Sequence, residues 1–247
     1  MDFSMLVVNS NRSKAYLQNM IRHGHFPKKV ILLEDEKSNS EKTGIDVKSS
    51  KNDCKSIKKF SDIELYFDER EHVLTTLENN NINYTIVKTL DVNNSIVARE
   101  IIKINEKKII FSGPGGVIVS EKILSLGKKF IHVHPGWVPE YRGSTTMYYS
   151  LLVDSNICCS VIVLDNEIDT GDILLKKKYD VPKHLFDYDY VVDPILRAEC
   201  LINYLDLEDK KMICRSKQSK DGNTFYIIHP LLKNMAILKH SDFQNSF

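Results

Sequence analysis

The feature that most constrains the fold of this chain is alternation. Short apolar runs at residues 5–9, 29–34, 84–87 and 108–112 alternate with segments of helical periodicity at 12–23, 69–79 and 95–104. Runs this short and apolar suit strands covered on both faces, and their alternation with helices is the pattern of a parallel sheet. We therefore expect an α/β fold with a Rossmann-like, mostly parallel sheet flanked by helices. Further strands are expected at 129–133, 157–165 and 173–179, and helices at 121–126 and 147–153, with Ser144, Thr145 and Thr146 as caps for the latter. A long helix is expected at 188–205, with Pro194 in its first turn or at a kink. Residues 35–53 are rich in Lys, Ser, Asn and acids, and read as a surface loop or disordered insertion.

With 247 residues and 42% hydrophobic content, the chain can bury a full core. Residues 1–206 are read as the main domain and 207–247 as a short C-terminal extension, a strand or hairpin finished by a helix. Lys+Arg 34 against Asp+Glu 33 gives no basic excess, so neither nucleic acid nor a membrane surface is expected as a partner. Met1-Asp2-Phe3 opens with an acid and no apolar run is long enough to span a bilayer, so a cytoplasmic location is expected. Cys54, Cys158, Cys159, Cys200 and Cys214 show no C-x-x-C spacing, and Cys158 and Cys159 read as small core residues of one strand.

The chemistry concentrates where the strand at 129–133 runs into His134-Pro135-Gly136. Residues two apart on a strand point the same way, which puts the rings of His132 and His134 on one side. The carboxyl ends of strands are where open α/β sheets gather their working groups. Histidine exchanges protons near neutral pH, and Asp169, on the loop after the next strand, is a candidate to orient it. Two other readings stay open: satisfied structural histidines beside a capping aspartate, or three metal ligands. Two histidines and one distant acid are untypical of a metal centre in number and context, and no metal is expected. Gly113-Pro114-Gly115-Gly116 lets backbone approach a ligand closely, although it lacks dinucleotide spacing and a tight turn would explain it equally well.

His132-Val133-His134-Pro135, Pro139-Glu140-Tyr141-Arg142-Gly143 and Asp169-Thr170-Gly171 together resemble the folate-dependent formyltransferase family. That family's motif runs Asn-x-His-Pro, then Pro-x-x-Arg-Gly, then Asp-x-Gly. The resemblance implies acyl transfer from 10-formyl-tetrahydrofolate to an amine. It makes His134 the proton shuttle and Asp169 its orienting partner, with His132 taking the place of the asparagine that steadies the oxyanion. A ring N–H would replace an amide N–H there, and a protonated His132 would add a pH limb that an asparagine lacks. By the same resemblance Gly113, Gly115, Gly116, Asp165, Glu167 and Ile168 would form the folate pocket. Trp137, Tyr141 and Arg142 would face the substrate, though Trp137 could equally be a packing residue and Arg142 a structural ion pair.

The tail is short and lacks a strong basic excess, which argues against a transfer-RNA substrate. The pattern looks most like sugar N-formyltransferases of bacterial surface-glycan biosynthesis, of the pseudaminic-acid type, with a nucleotide-linked amino sugar as acceptor. Alternatives are another small amine such as glycinamide ribonucleotide, or a catalytically silent folate- or sugar-binding module. A homodimer is expected from family habit alone.

Overall fold

The computed structural model describes residues 2–36, 66–181 and 187–240. Of the segment read as an insertion only Asp35 and Glu36 fall within these bounds, and Cys54 lies outside the described residues. Five parallel strands form most of the sheet: β1 (Ser4–Val8), β2 (Val30–Leu33), β3 (Tyr84–Val87), β4 (Lys108–Ser112) and β5 (Lys129–His134). A two-residue strand, β6 (Arg142–Gly143), lies outside this sheet. The sheet is completed by β7 (Ile157–Val163), antiparallel to β5, and β8 (Ile173–Tyr179), antiparallel to β7. Its order is β3-β2-β1-β4-β5-β7-β8. A mostly parallel sheet is therefore what forms, and the antiparallel pair is confined to one edge.

The strands read as unbroken apolar runs because both faces are covered. Met5, Val7, Val30, Leu32, Ile110, Ile131 and Val133 enter one buried cluster, while Leu6, Ile31, Leu33, Ile109, Phe111 and Phe130 enter another. Each strand thus feeds the two layers alternately. The first layer is built by α1 (Asn11–Arg22), α2 (Val73–Asn79), α5 (Thr146–Asp154) and α6 (Asp193–Asp209), and the second by α3 (Ser95–Ile102) and the short α4 (Glu121–Leu124). Cys158, Cys159 and Cys200 are buried and Cys214 is exposed. A wide helical turn, Tyr188–Val192, runs into α6, and Pro194 is the second residue of α6. Among the described residues no helix is long and apolar enough to cross a membrane.

The C-terminal segment folds back onto the loop that follows β5. Strand β9 (Thr224–Phe225) pairs in parallel with β6, and α7 (Pro230–Leu238) packs against α5. Gly143 is the residue that permits the pairing. Its φ is +97°, and a Cβ there would stand 2.1 Å from the Phe225 carbonyl oxygen. Phe225 then rests on Tyr141 and Tyr149, with ring centroids 5.3 and 4.5 Å apart. The sequence expectation for the start of α5 needs correcting. Thr145 has a left-handed φ of 52° and makes no capping bond to the helix; its hydroxyl accepts from Ile228 N at 2.9 Å, which ties the tail down.

Candidate active site

Strand order reverses between β1 and β4, and the crevice at such a switch point is where open α/β sheets accept ligands. A cavity of about 510 Å³ lies there. Its wall includes Arg12 at the start of α1, the loop 114–119 after β4, His132 and His134 at the end of β5, the loop 164–169 after β7, and Arg197 of α6. Ile227, from the C-terminal segment, joins the rim.

His134 is buried and held at both ring nitrogens. Nε2 lies 2.8 Å from the carbonyl oxygen of Tyr141. A carbonyl can only accept, so Nε2 carries the hydrogen and Nδ1 is the atom free to exchange a proton. Thr146 supports this assignment: its hydroxyl donates to Pro135 O at 2.7 Å, leaving its oxygen, 3.3 Å from Nε2, as a second acceptor. Nδ1 faces Asp169 Oδ2 at 3.2 Å. That carboxylate oxygen also accepts from Gly143 N at 3.0 Å. Asp169 itself sits at φ 54°, a conformation aspartate tolerates better than most residues. The amide of Gln218 grips the Asp169 and Gly171 carbonyls at 2.9 and 2.6 Å, fixing the loop from outside. Burial lowers the pKa of His134, and Asp169 pulls in the opposite direction.

His132 completes the cluster, its ring centroid 6.5 Å from that of His134. Its Nδ1 is buried with no hydrogen-bond partner among the described residues. Burial first, then Arg197 and Arg12, hold its pKa well below the ordinary histidine value. Near neutral pH the ring is therefore uncharged, which moves any pH limb from His132 to more acidic values. Ligand atoms of His132, His134 and Asp169 lie within 4.8 Å of one another, so the three could meet a metal ion in number. Two adjacent guanidinium groups oppose a divalent cation there.

The structure brings His132, His134 and Asp169 together, and it lines the same cavity with Gly115, Gly116, Asp165, Glu167 and Ile168. Gly113 is not in the wall; its carbonyl accepts from Arg12 Nη2. The three residues expected to face substrate point elsewhere. Trp137 is covered by Lys176 and Lys178, whose Nζ atoms lie 4.0 and 4.8 Å from its ring centroid. The Tyr141 hydroxyl donates to Asp154 at 2.8 Å, and it is the backbone of Tyr141 that serves the site. Arg142 is buried, donating to Gln218 Oε1 at 3.0 Å and Ser219 O at 2.7 Å. Thr146, Gln218, Arg12 and Arg197 were not foreseen. For Arg197 a signal existed, a lone charge in the apolar stretch Ile195-Leu196-Arg197-Ala198.

An open α/β sheet with a buried histidine–aspartate pair at the carboxyl edge of its central strands defines an acid–base site opening on a ligand cavity. The formyl transferase family model matches residues 20–190, well over half of the chain, and the chain belongs to that family. It is 32% identical over 135 residues to the methionyl-tRNA formyltransferase of Rickettsia bellii, a match that spans 51% of this chain and only 41% of that protein. In fold it is similar to a phosphoribosylglycinamide formyltransferase from Anaplasma phagocytophilum, with TM-score 0.58, 13% identity, and coverage of 92% of this chain and 99% of that one. A Helicobacter canadensis N-formyltransferase, solved with folinic acid and dTDP-3-aminofucose, gives TM-score 0.54 and 15% identity over 92% of this chain and 71% of that one.

Proposed function

We propose that this protein transfers a formyl group from 10-formyl-tetrahydrofolate to the amine of a nucleotide-linked amino sugar. One observation carries the reading: His134, tautomer set by the Tyr141 carbonyl and Nδ1 set against Asp169, stands in the wall of a cavity sized for small molecules. The donor fits the loops around it. Val117, Ile118, Val119, Leu164 and Ile168 offer apolar walls for a flat heterocycle, and Asp165 and Glu167 offer acceptors at the mouth. When bound, the donor supplies an electrophilic formyl carbon.

The chain's own residues manage the charge and the proton. An amine that attacks a carbonyl becomes positive and must lose a proton while oxygen gains negative charge. His134 Nδ1 takes that proton, Asp169 stabilises the resulting imidazolium at 3.2 Å, and the proton would pass on to the departing donor nitrogen as its bond to the formyl carbon breaks. The Nε2–H bond to Tyr141 O keeps the ring from turning as the proton arrives. The Arg12 and Arg197 guanidiniums line the same cavity and bring positive charge to it.

A second acceptor class is favoured by one finding, the 32% identity to a methionyl-tRNA formyltransferase. The test offers the purified protein 10-formyl-tetrahydrofolate with nucleotide-linked amino sugars, glycinamide ribonucleotide and methionyl-tRNA, and follows each by mass spectrometry. Formylation of an amino sugar, lost in His134→Ala, supports the reading; formylation of methionyl-tRNA alone replaces the acceptor.

A further inference from the structure

We infer that Arg12 and Arg197 form an oxyanion-binding floor in the cavity, so that the acceptor is an amine carrying a phosphate or carboxylate close to its reacting nitrogen. This deepens the proposed function, since it names the chemistry of the acceptor at the same site. Both guanidiniums line the cavity beside His132. Arg197 is buried and one side of it is spoken for: Nε donates to Asp193 at 2.8 Å and Nη1 to Val133 O at 3.0 Å. Arg12 donates through Nε to Ser112 Oγ at 3.1 Å and through Nη2 to Gly113 O. Among the described residues no ion pair joins Arg12 to a carboxylate, and neither Arg12 Nη1 nor Arg197 Nη2 has a hydrogen-bond partner.

The charges do not cancel. Two guanidiniums share one nearby carboxylate, Asp193, which is bonded to Arg197. The other acids of the cavity, Asp165, Glu167 and Asp169, all come from the loop 165–169; the first two are exposed, and Asp169 is engaged by His134 and Gly143. Arg12 and Arg197 therefore carry more positive charge than the one carboxylate they share offsets. Buried positive charge in excess of its carboxylates is costly unless an anion joins it. Guanidinium N–H groups suit planar carboxylate or tetrahedral phosphate oxygens. Both arginine side chains are anchored by backbone carbonyls at the ends of β4 and β5, so the floor is rigid before any ligand arrives.

Two measurements on the intact protein decide this. In the first, thermal unfolding is followed against sodium phosphate and, separately, sodium acetate, each at ionic strength matched with sodium chloride. A ligand that binds only the native state raises the midpoint as its concentration passes Kd. Saturable stabilisation by either anion, lost in Arg12→Gln and kept in Arg12→Lys, supports the floor; phosphate or acetate as the active anion tells a phosphate-bearing from a carboxylate-bearing acceptor. Equal response of wild type and Arg12→Gln to both anions overturns it. This arm needs no turnover, so it stands even if no formyl transfer is found. In the second, for any amine the wild type formylates, Arg12→Gln raises acceptor KM about tenfold to a hundredfold, the worth of one charge-assisted hydrogen bond. A fall in kcat with KM unchanged overturns the binding role.

Discussion

Substituting Gly136 by alanine probes the core of the site with a single methyl group. A Cβ at this position would lie 2.5 Å from the Tyr141 carbonyl oxygen, 2.7 Å from His134 Nε2 and 2.9 Å from Thr146 Oγ1. These are the ring's own Nε2 and the two oxygens that hold it. The methyl cannot be accommodated by a flexible side-chain end, because one neighbour is backbone and the other two are buried. Overpacking of this kind costs about 1–3 kcal/mol, and for a chain of this size about 2–4 °C of Tm accompanies each kcal/mol. The expected fall is thus roughly 2 to 12 °C. Displacing the ring by about 1 Å would also lower turnover roughly a hundredfold. Differential scanning calorimetry measures the first effect, and nitrogen NMR of the His134 ring reads the loss of its fixed Nε2–H tautomer without any substrate. Gly115→Ala is the matched control, since it lines the same cavity but a Cβ there meets nothing within 4 Å. Wild-type Tm and an unchanged His134 tautomer in Gly136→Ala would refute the geometry described for the ring.

Burial keeps His134 neutral, so the base form of Nδ1 persists below the ordinary histidine range, and the rate should fall only as pH drops beneath about 6.5; a pH–rate profile whose acid limb lies above that value contradicts this. Stability shares the sign, because below about pH 6.5 the unfolded chain binds protons that native His132 and His134 refuse. Native stability is therefore full above that pH and lost as pH falls, and His132→Asn should flatten the acid side of a Tm-against-pH curve while keeping formyl transfer. Arg142→Ala removes two bonds to residues 218 and 219 and should destabilise by roughly 2 kcal/mol or more. Hydrogen exchange should then quicken across 218–228, and a rate unchanged there would show that Arg142 does not anchor the tail.

Much of the architecture was legible in the sequence because both faces of the sheet are covered, which leaves strands such as Val30–Leu33 as unbroken apolar runs between periodic helices. The histidine pair was legible for the same kind of reason, since strand alternation alone puts His132 and His134 on one side. The roles of Trp137, Tyr141 and Arg142 were not. Proximity along the chain suggested substrate contact, but their surroundings come from distant segments: Lys176 and Lys178 on β8, Asp154 at the end of α5, and Gln218 and Ser219 in the C-terminal segment. The charge state of His132 was hidden likewise, because the two arginines beside it arrive from residues 12 and 197. Thr145 was misread as a cap because Ser and Thr before a helix usually are one; a tertiary bond from Ile228 took its hydroxyl instead.

The central claim is that His134 Nδ1 and Asp169 move the proton of a formyl transfer. Single-turnover rates of wild type, His134→Ala and Asp169→Asn, with binding of 10-formyl-tetrahydrofolate measured alongside, test it most directly. Both variants are expected to bind the donor as wild type does and to transfer formyl at least about a hundredfold more slowly. Undiminished transfer in either variant would contradict the account.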